Sequence, residues 1–156
     1  MTTQDRSNGY EAIAEDYMRA RSDTGAALIG AWAANLPKGA SVLDLGCGHG
    51  DPYMSVLLKA GLKVAAIDAS PSLVAAFQER YPSVEIACDP VQDSRFFGRQ
   101  FDAVLAVGLS FLLPENEQLS VIRKMSAALR PQGKVLFSAP LEKGSWADLL
   151  TPRQSI

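Results

Sequence analysis

The sequence predicts an α/β protein, a three-layer sandwich around a mainly parallel sheet of about five strands. Two observations lead there. Short apolar runs alternate with segments of helical period, the pattern of βαβ units whose sheet is covered on both faces. The runs are also nearly unbroken, as in Ala103-Val104-Leu105-Ala106-Val107, which suits strands buried on both faces. At 156 residues the chain has the length of one domain, long enough to bury a core without disulfides or metal.

Each element has its own local signal. From Gly9, the residues Tyr10, Ile13, Ala14, Tyr17 and Met18 recur at helical spacing and predict an amphipathic helix. A second helix is expected from Thr24 to Asn35, with Leu28, Ile29 and Trp32 on one face and Pro37-Lys38-Gly39 as its stop. Ser41–Leu45 reads as the first strand, running into a glycine cluster. Asp51-Pro52 then suggests an N-cap followed by proline at the first helical position. That helix reaches Ala60, and Gly61 closes it. Lys63–Ile67 is the second strand. Ser70-Pro71 opens a helix carrying Leu73, Val74 and Phe77 that ends before Pro82. Val84–Ala87 and Phe101–Val107 are the third and fourth strands. Glu115–Leu129 is a helix with Leu119, Ile122, Met125 and Leu129 on one stripe. Arg130-Pro131-Gln132-Gly133 is a turn before a fifth strand, Lys134–Ser138. The expected organisation is a single domain over 1–156: an N-terminal helical lid (1–22), a core (40–140) and an irregular tail (141–156) with no sixth strand.

Composition narrows the function. Net charge is -2, from 15 basic and 17 acidic residues, and the basic residues are scattered. A nucleic-acid partner calls for a basic patch or stripe, so none is expected, and no polybasic run suggests a membrane surface. The two cysteines, Cys47 and Cys88, form no C-x-x-C pair, and there is 1 histidine, which argues against zinc. The polar start from Met1 to Asn8 has no apolar signal-peptide segment, so the expected setting is cytoplasmic, with both thiols reduced.

The chemistry concentrates in Gly46-Cys47-Gly48-His49-Gly50, directly after the first strand. Ligands of open parallel sheets bind outside the carboxyl ends of the strands, where that loop lies, and glycines let backbone turn tightly and approach a ligand. Three acids accompany it. Asp68 ends the second strand, 18 residues after Gly50, where a carboxylate can accept both hydrogen bonds of a ribose diol or merely cap the next helix. Asp89 follows the third strand and can accept an adenine amino proton or shape a turn. Asp44 lies inside the apolar first strand, where a carboxylate is costly unless paired, so it orients the loop or a ligand's amino group. A nicotinamide dinucleotide is the weaker reading. Its fingerprint is G-x-G-x-x-G, whereas here the third glycine comes one place early and no second domain offers a hydride acceptor.

Taken together, these motifs resemble the class I, Rossmann-like S-adenosylmethionine-dependent methyltransferases. Val42–Gly50 resembles that family's first motif and Ile67-Asp68-Ala69-Ser70 its acidic ribose-binding strand end. Cys88-Asp89-Pro90 is similar to its adenine turn, and Phe101-Asp102-Ala103-Val104-Leu105 to its fourth strand. Leu129-Arg130-Pro131-Gln132-Gly133-Lys134 is similar to the turn before its fifth strand, and Tyr10–Arg21 to its lid helix. The resemblance runs from about residue 8 to 140. It implies S-adenosylmethionine as cofactor. Gly46, Cys47, Gly48 and Gly50 would pass beneath its methionyl and ribose parts, with Asp44 close by. Asp68, Ala69 and Ser70 would meet the ribose, Asp89 and Pro90 the adenine, and Val107-Gly108-Leu109 would line the pocket. Tyr17 and Arg21 would close it.

The implied reaction is methyl transfer to a small-molecule acceptor. A shortened, non-catalytic cofactor-binding or interaction module is the alternative, and an NAD-dependent oxidoreductase is the weaker one. His49 is a weak candidate for a general base; Cys47 reads as a packing residue and Trp32 as core, while Trp146 fits either core or a substrate platform. The family usually continues past the fifth strand with a helix and an antiparallel strand pair. This sequence leaves too little for both, so Lys134–Ser138 is expected at an apolar sheet edge through which a homodimer can form.

Overall fold

The computed structural model describes residues 6–7, 9–20, 25–108, 113–138, 146–147 and 154–155. Five strands form one parallel sheet: β1 (Ser41–Leu45), β2 (Lys63–Asp68), β3 (Glu85–Cys88), β4 (Phe101–Ala106) and β5 (Leu129–Phe137), in the order β3-β2-β1-β4-β5. The expected fold class is the one observed. The reversal of strand order falls at β1, which pairs with both β2 and β4, so the crevice beyond its carboxyl end is the place where such sheets bind ligands.

Helices cover both faces. α2 (Ala26–Ala34), α3 (Tyr53–Lys59) and α4 (Pro71–Arg80) lie on one side, where Ile29, Ala33, Met54, Leu57 and Phe77 pack on Val42, Ala66 and Leu105. α5 (Glu115–Ala127) and the segment around Val91 and Phe96 cover the other. There Val121, Met125 and Ala128 pack on Leu43, Leu45, Ile67 and Val104. Successive β1 residues thus feed opposite cores, which is why its sequence is apolar at nearly every position. α1 (Ala14–Ala20) follows a turn at 9–13, so the first helix begins later than its apolar spacing suggests. No described helix is long and apolar enough to cross a membrane.

Several expectations need correction. In α2 the buried residues are Ile29 and Ala33, while Leu28 is 66% exposed. Its sequence AALIGAWAA has no polar face, so periodicity cannot fix its rotation. In α5, Met125 is buried with Val121, but Leu119 and Ile122 face outward at 53% and 39% exposure. The inward positions are partly polar for a reason. Lys124 Nζ donates to the carbonyls of Val91 (2.6 Å) and Gln92 (3.2 Å), and Gln118 Nε2 donates to that of Leu113 (2.8 Å).

The turn Arg130–Gly133 is an irregularity inside β5 rather than a segment before it. Pairing passes from Phe101↔Leu129 to Ala103↔Lys134, so β5 carries extra residues that loop out, with Gln132 at φ 63°. Finally, β6 (Trp146–Ala147) and β7 (Gln154–Ser155) pair antiparallel as a separate two-stranded piece within the stretch expected to be irregular.

Candidate cofactor cleft

β1 delivers the chain into Gly46–Gly50. Gly46, Gly48 and Gly50 all have positive φ (69°, 59° and 97°), a region that side chains disfavour. This backbone turns its N–H groups inward. Gly46 and Cys47 both donate to the Ile67 carbonyl (2.8 and 3.1 Å), and Gly50 donates to that of Cys47 (3.1 Å). Gly48 N–H donates to Asp68 Oδ2 (2.8 Å). A pyrophosphate cradle needs such amides free, and four of the five in this loop are held within the protein, which disfavours one. The following residue adds a carboxylate, Asp51, and α3 is preceded by Pro52, which has no N–H to offer.

Asp68 is the hinge of the arrangement. Its Oδ2 fixes the loop at Gly48 and its Oδ1 accepts from Ser70 N–H (2.9 Å). An ionised carboxylate has about four acceptor sites, and the amides of Gly48, Ser70 and Ala69 leave room for an external donor. Burial pushes its carboxyl above the usual range. The amides of Ser70, Gly48 and Ala69 pull it back, and the nearby Glu11 charge raises it further. Asp68 does not cap α4. Ser70 does, accepting from Leu73 N–H (3.3 Å), and its fully buried hydroxyl donates to Glu11.

Carboxylates dominate the local field. Asp44 is buried in β1 opposite Ala66 and Leu105. Burial, then Asp44 and Asp68, push the Cys47 thiol well above its usual range, which keeps it neutral and unsuited to nucleophilic attack. The Cys88 thiol, paired in register with Asp68, is raised by burial and by Asp68, Asp89 and Glu11. Four carboxylates therefore act on two thiols at the carboxyl ends of β1, β2 and β3. Such a cleft favours cations, hydroxyls and amino groups and disfavours phosphate.

The other sequence-predicted residues divide. Ala69 adjoins Asp68. Asp89 is exposed just beyond β3, with its N–H donating to the Asp68 carbonyl (3.0 Å), so Asp89 and Pro90 sit beside Asp68. Val107 and Gly108 continue from β4, with Gly108 N–H held by Ser138 Oγ (2.6 Å). Gly50 faces elsewhere: a Cβ there would lie 2.8 Å from the Tyr81 ring and 3.1 Å from Phe77. His49, with a side chain 11% exposed, sits 3.9 Å from Asp51, and Asp51 in turn pairs with Arg80 (2.6 Å) and accepts from Tyr81 (2.9 Å). Gly50, His49 and Asp51 thus join the loop to α4. Trp32 packs against the α2–α4 core. The Tyr17 side chain, Arg21, Leu109 and the Trp146 side chain lie outside the described residues.

The sequence reading missed Glu11 and Arg6. The Glu11 carboxylate accepts from Ser72 N–H (3.0 Å), Ser72 Oγ (2.6 Å) and Ser70 Oγ, at the first turn of α4. Arg6 pairs with Asp93 (3.0 Å). Contacts 59 to 87 residues apart leave no local spacing to detect. The Ser-Pro-Ser opening of α4, richer in hydroxyls than one cap requires, was the only hint.

Residues 42–133 match the methyltransferase-domain family. The chain is 31% identical over 109 residues to the putative methyltransferase YqeM of Bacillus subtilis (strain 168), covering 67% of this chain and 44% of that protein. It is 28% identical over 105 residues to a ubiquinone biosynthesis O-methyltransferase of Coxiella burnetii, covering 65% of this chain and 44% of the relative. The chain thus spans less than half the length of these relatives. Its fold matches that of the N-methyltransferase NodS from Bradyrhizobium japonicum WM9, solved in complex with S-adenosyl-L-homocysteine. That match has a TM-score of 0.70 at 16% identity, over 86% of this chain and 72% of that one. With most of the parallel sheet and its glycine loop inside the matched span, this chain belongs to the class I S-adenosylmethionine-dependent methyltransferase family.

Proposed function

We propose that this chain binds S-adenosylmethionine across the carboxyl ends of β1, β2 and β3 and serves methyl transfer to a small-molecule acceptor. The observation that carries the reading is the combination of an amide-closed glycine loop with surrounding carboxylates. A sulfonium cofactor with a ribose diol, an amino group and no phosphate suits that chemistry; a dinucleotide does not. When bound, the cofactor supplies a methyl group already electrophilic through its sulfonium.

The chain's own residues bind and orient. Asp68, its loop-facing bonds satisfied, would hold the ribose hydroxyls with its remaining acceptor sites. Asp89 and Pro90 would flank the adenine, and Asp44 would steady the loop and face the cofactor's amino end. Gly46 and Gly48 would let the backbone pass close beneath. Val107 and Gly108 would form the wall at β4. Such a site contributes chiefly alignment and exclusion of water. No general base is assigned, because His49 is turned toward Asp51. The small-molecule reading rests on relatives whose names specify small-molecule chemistry and on basic residues scattered through a sequence of net charge -2. Pairing of two copies along β5 is supported by Val135 and Phe137, which stand 41% and 42% exposed there.

Calorimetric titration tests the reading. S-adenosylhomocysteine should bind and NAD should not; NAD binding alone would overturn it. Asp68→Ala should weaken S-adenosylhomocysteine by ~1–3 kcal/mol, the scale of hydrogen bonds to a charged group. Unchanged affinity would leave Asp68 as a loop clamp only.

A further inference from the structure

We propose that Glu11 is a latch: it holds the N-terminal segment across the ribose and adenine end of the cleft and thereby slows release of the cofactor. The inference rests on the reading of the Asp68 cleft as the cofactor site.

Two pins fix this segment. Arg6 pairs with Asp93, beyond the end of β3, and Glu11 binds the first turn of α4, just beyond the end of β2. β2 and β3 are neighbours in the sheet, so one pin follows the strand end that carries Asp68 and the other the strand end that precedes Asp89. The anchoring is local and specific. Both Glu11 carboxylate oxygens are used: one accepts from Ser72 Oγ, the other from Ser72 N–H and Ser70 Oγ. Glu11 N–H is itself held by Ser7 Oγ (2.9 Å), and its carbonyl accepts from Ala14 N–H (3.4 Å) at the start of α1. A carboxylate at a helix N-terminus is favourable, and Ser70 links this one to Asp68, whose Oδ1 holds the Ser70 amide.

The contact also carries a cost that a ligand removes. Closing the latch brings the Glu11 carboxylate toward Asp68, to which Ser70 links it, and so sets two acids side by side. A bound group that donates hydrogen bonds to Asp68, or that carries positive charge, offsets this repulsion. Latch closure and cofactor binding therefore favour each other, and by reciprocity loss of the latch weakens retention. Glu11 acts through the segment it positions, so it is a positioning residue.

The test compares wild type with Glu11→Ala, Glu11→Gln and Ser72→Ala. Trypsin cleavage after Arg19 in the ligand-free protein reports the latch, and stopped-flow dissociation of S-adenosylhomocysteine reports retention. In Glu11→Ala, cleavage should quicken and the dissociation rate should rise roughly 10-fold, as expected for lost hydrogen bonds to a charged group. The association rate should change far less. Glu11→Gln, which keeps one acceptor, should fall between, and Ser72→Ala, a milder change at an exposed position, should raise dissociation measurably if Glu11→Ala does not fold. A dissociation rate equal to wild type in these variants, with or without faster cleavage, would overturn the latch while leaving the cofactor site standing. Failure of the wild type to bind S-adenosylhomocysteine at all would overturn the site and the latch together.

Discussion

At the scale of single residues, two neighbouring loop positions do different work. Gly50 is held at φ 97°, and a Cβ there would press on Tyr81 and Phe77 at 2.8 and 3.1 Å. Gly50→Ala should therefore lower stability by about 2–4 kcal/mol, combining backbone strain with overpacking. Urea denaturation checks it. In a Tyr81→Ala background the packing share of that loss should disappear, since neighbouring residues couple. Asp68 makes a prediction in pH instead. Its carboxyl is raised, first by burial, so its ionised form is lost on acidification earlier than that of an ordinary aspartate at about 3.9. S-adenosylhomocysteine affinity should fall across that window in wild type and stay flat in Asp68→Asn, as calorimetry at stepped pH would show. For folding of the ligand-free protein the sign is opposite. A carboxyl raised on folding disfavours the folded state above its pKa and relieves that penalty as pH falls through it. The glycine spacing and the acid at the end of β2 were legible because both are local consequences of a strand entering a tight turn. The division of labour between Gly48 and Gly50 was not, because it depends on a ring that arrives from α4.

Among whole elements, legibility followed the contrast between polar and apolar positions. β1, β2 and β4 are short apolar runs between turn residues, and their observed limits lie within one residue of those expected. α4 announced itself through Ser70-Pro71, and the structure makes Ser70 its N-cap. α2 and α5 kept their extents but not their rotations. In α2 every side is apolar. In α5 the inward face is lined by Gln118 and Lys124, which bond carbonyls of neighbouring segments, while Leu119 and Ile122 point outward. A hydrophobic stripe is thus an unsafe guide where polar side chains are recruited to satisfy loop backbone. The difference is measurable. Met125→Ala should cost ~2–5 kcal/mol, as for other large core truncations. Leu119→Gln should stay within about 0.5 kcal/mol of wild type by the same denaturation assay. A large cost at Leu119 would restore the stripe read from the sequence. The strand origins are tied by another polar cluster. Asp102 accepts from Ser41 N–H (2.8 Å) and pairs with Arg130 (2.9 Å), joining β1, β4 and the irregular start of β5. The Ser41 amide and Arg130 hold its carboxyl below the usual range. That contribution is present above the ordinary aspartate pKa and lost as pH falls through the lowered one.

For the molecule as a whole, β5 is the last strand of the parallel sheet among the described residues, with Val135 and Phe137 exposed along it. If two copies pair there, sedimentation at tens of micromolar should show a concentration-dependent dimer. A charge at the edge, as in Phe137→Lys, should shift it to monomer, and a monomer in wild type would remove the pairing. Ligand linkage supplies the complementary test, because it acts on the folded chain whatever its partners. A ligand that binds only the folded state adds about 2.7 kcal/mol at a free concentration 100 times its Kd. For a domain of this length each kcal/mol moves Tm by roughly 2–4 °C, so saturating S-adenosylhomocysteine should raise Tm by roughly 5–11 °C. The shift should be the same at low and high protein concentration if it reports the cleft, because only the dimer term depends on protein concentration. It should vanish in Asp68→Ala at the wild-type ligand concentration to the extent that affinity is lost. NAD should leave Tm unmoved, since four of the five loop amides that could meet its pyrophosphate are already held by Ile67, Cys47 and Asp68. A comparable shift with NAD would mean that the loop opens on binding, and the closed glycine loop would then no longer discriminate between the two cofactors.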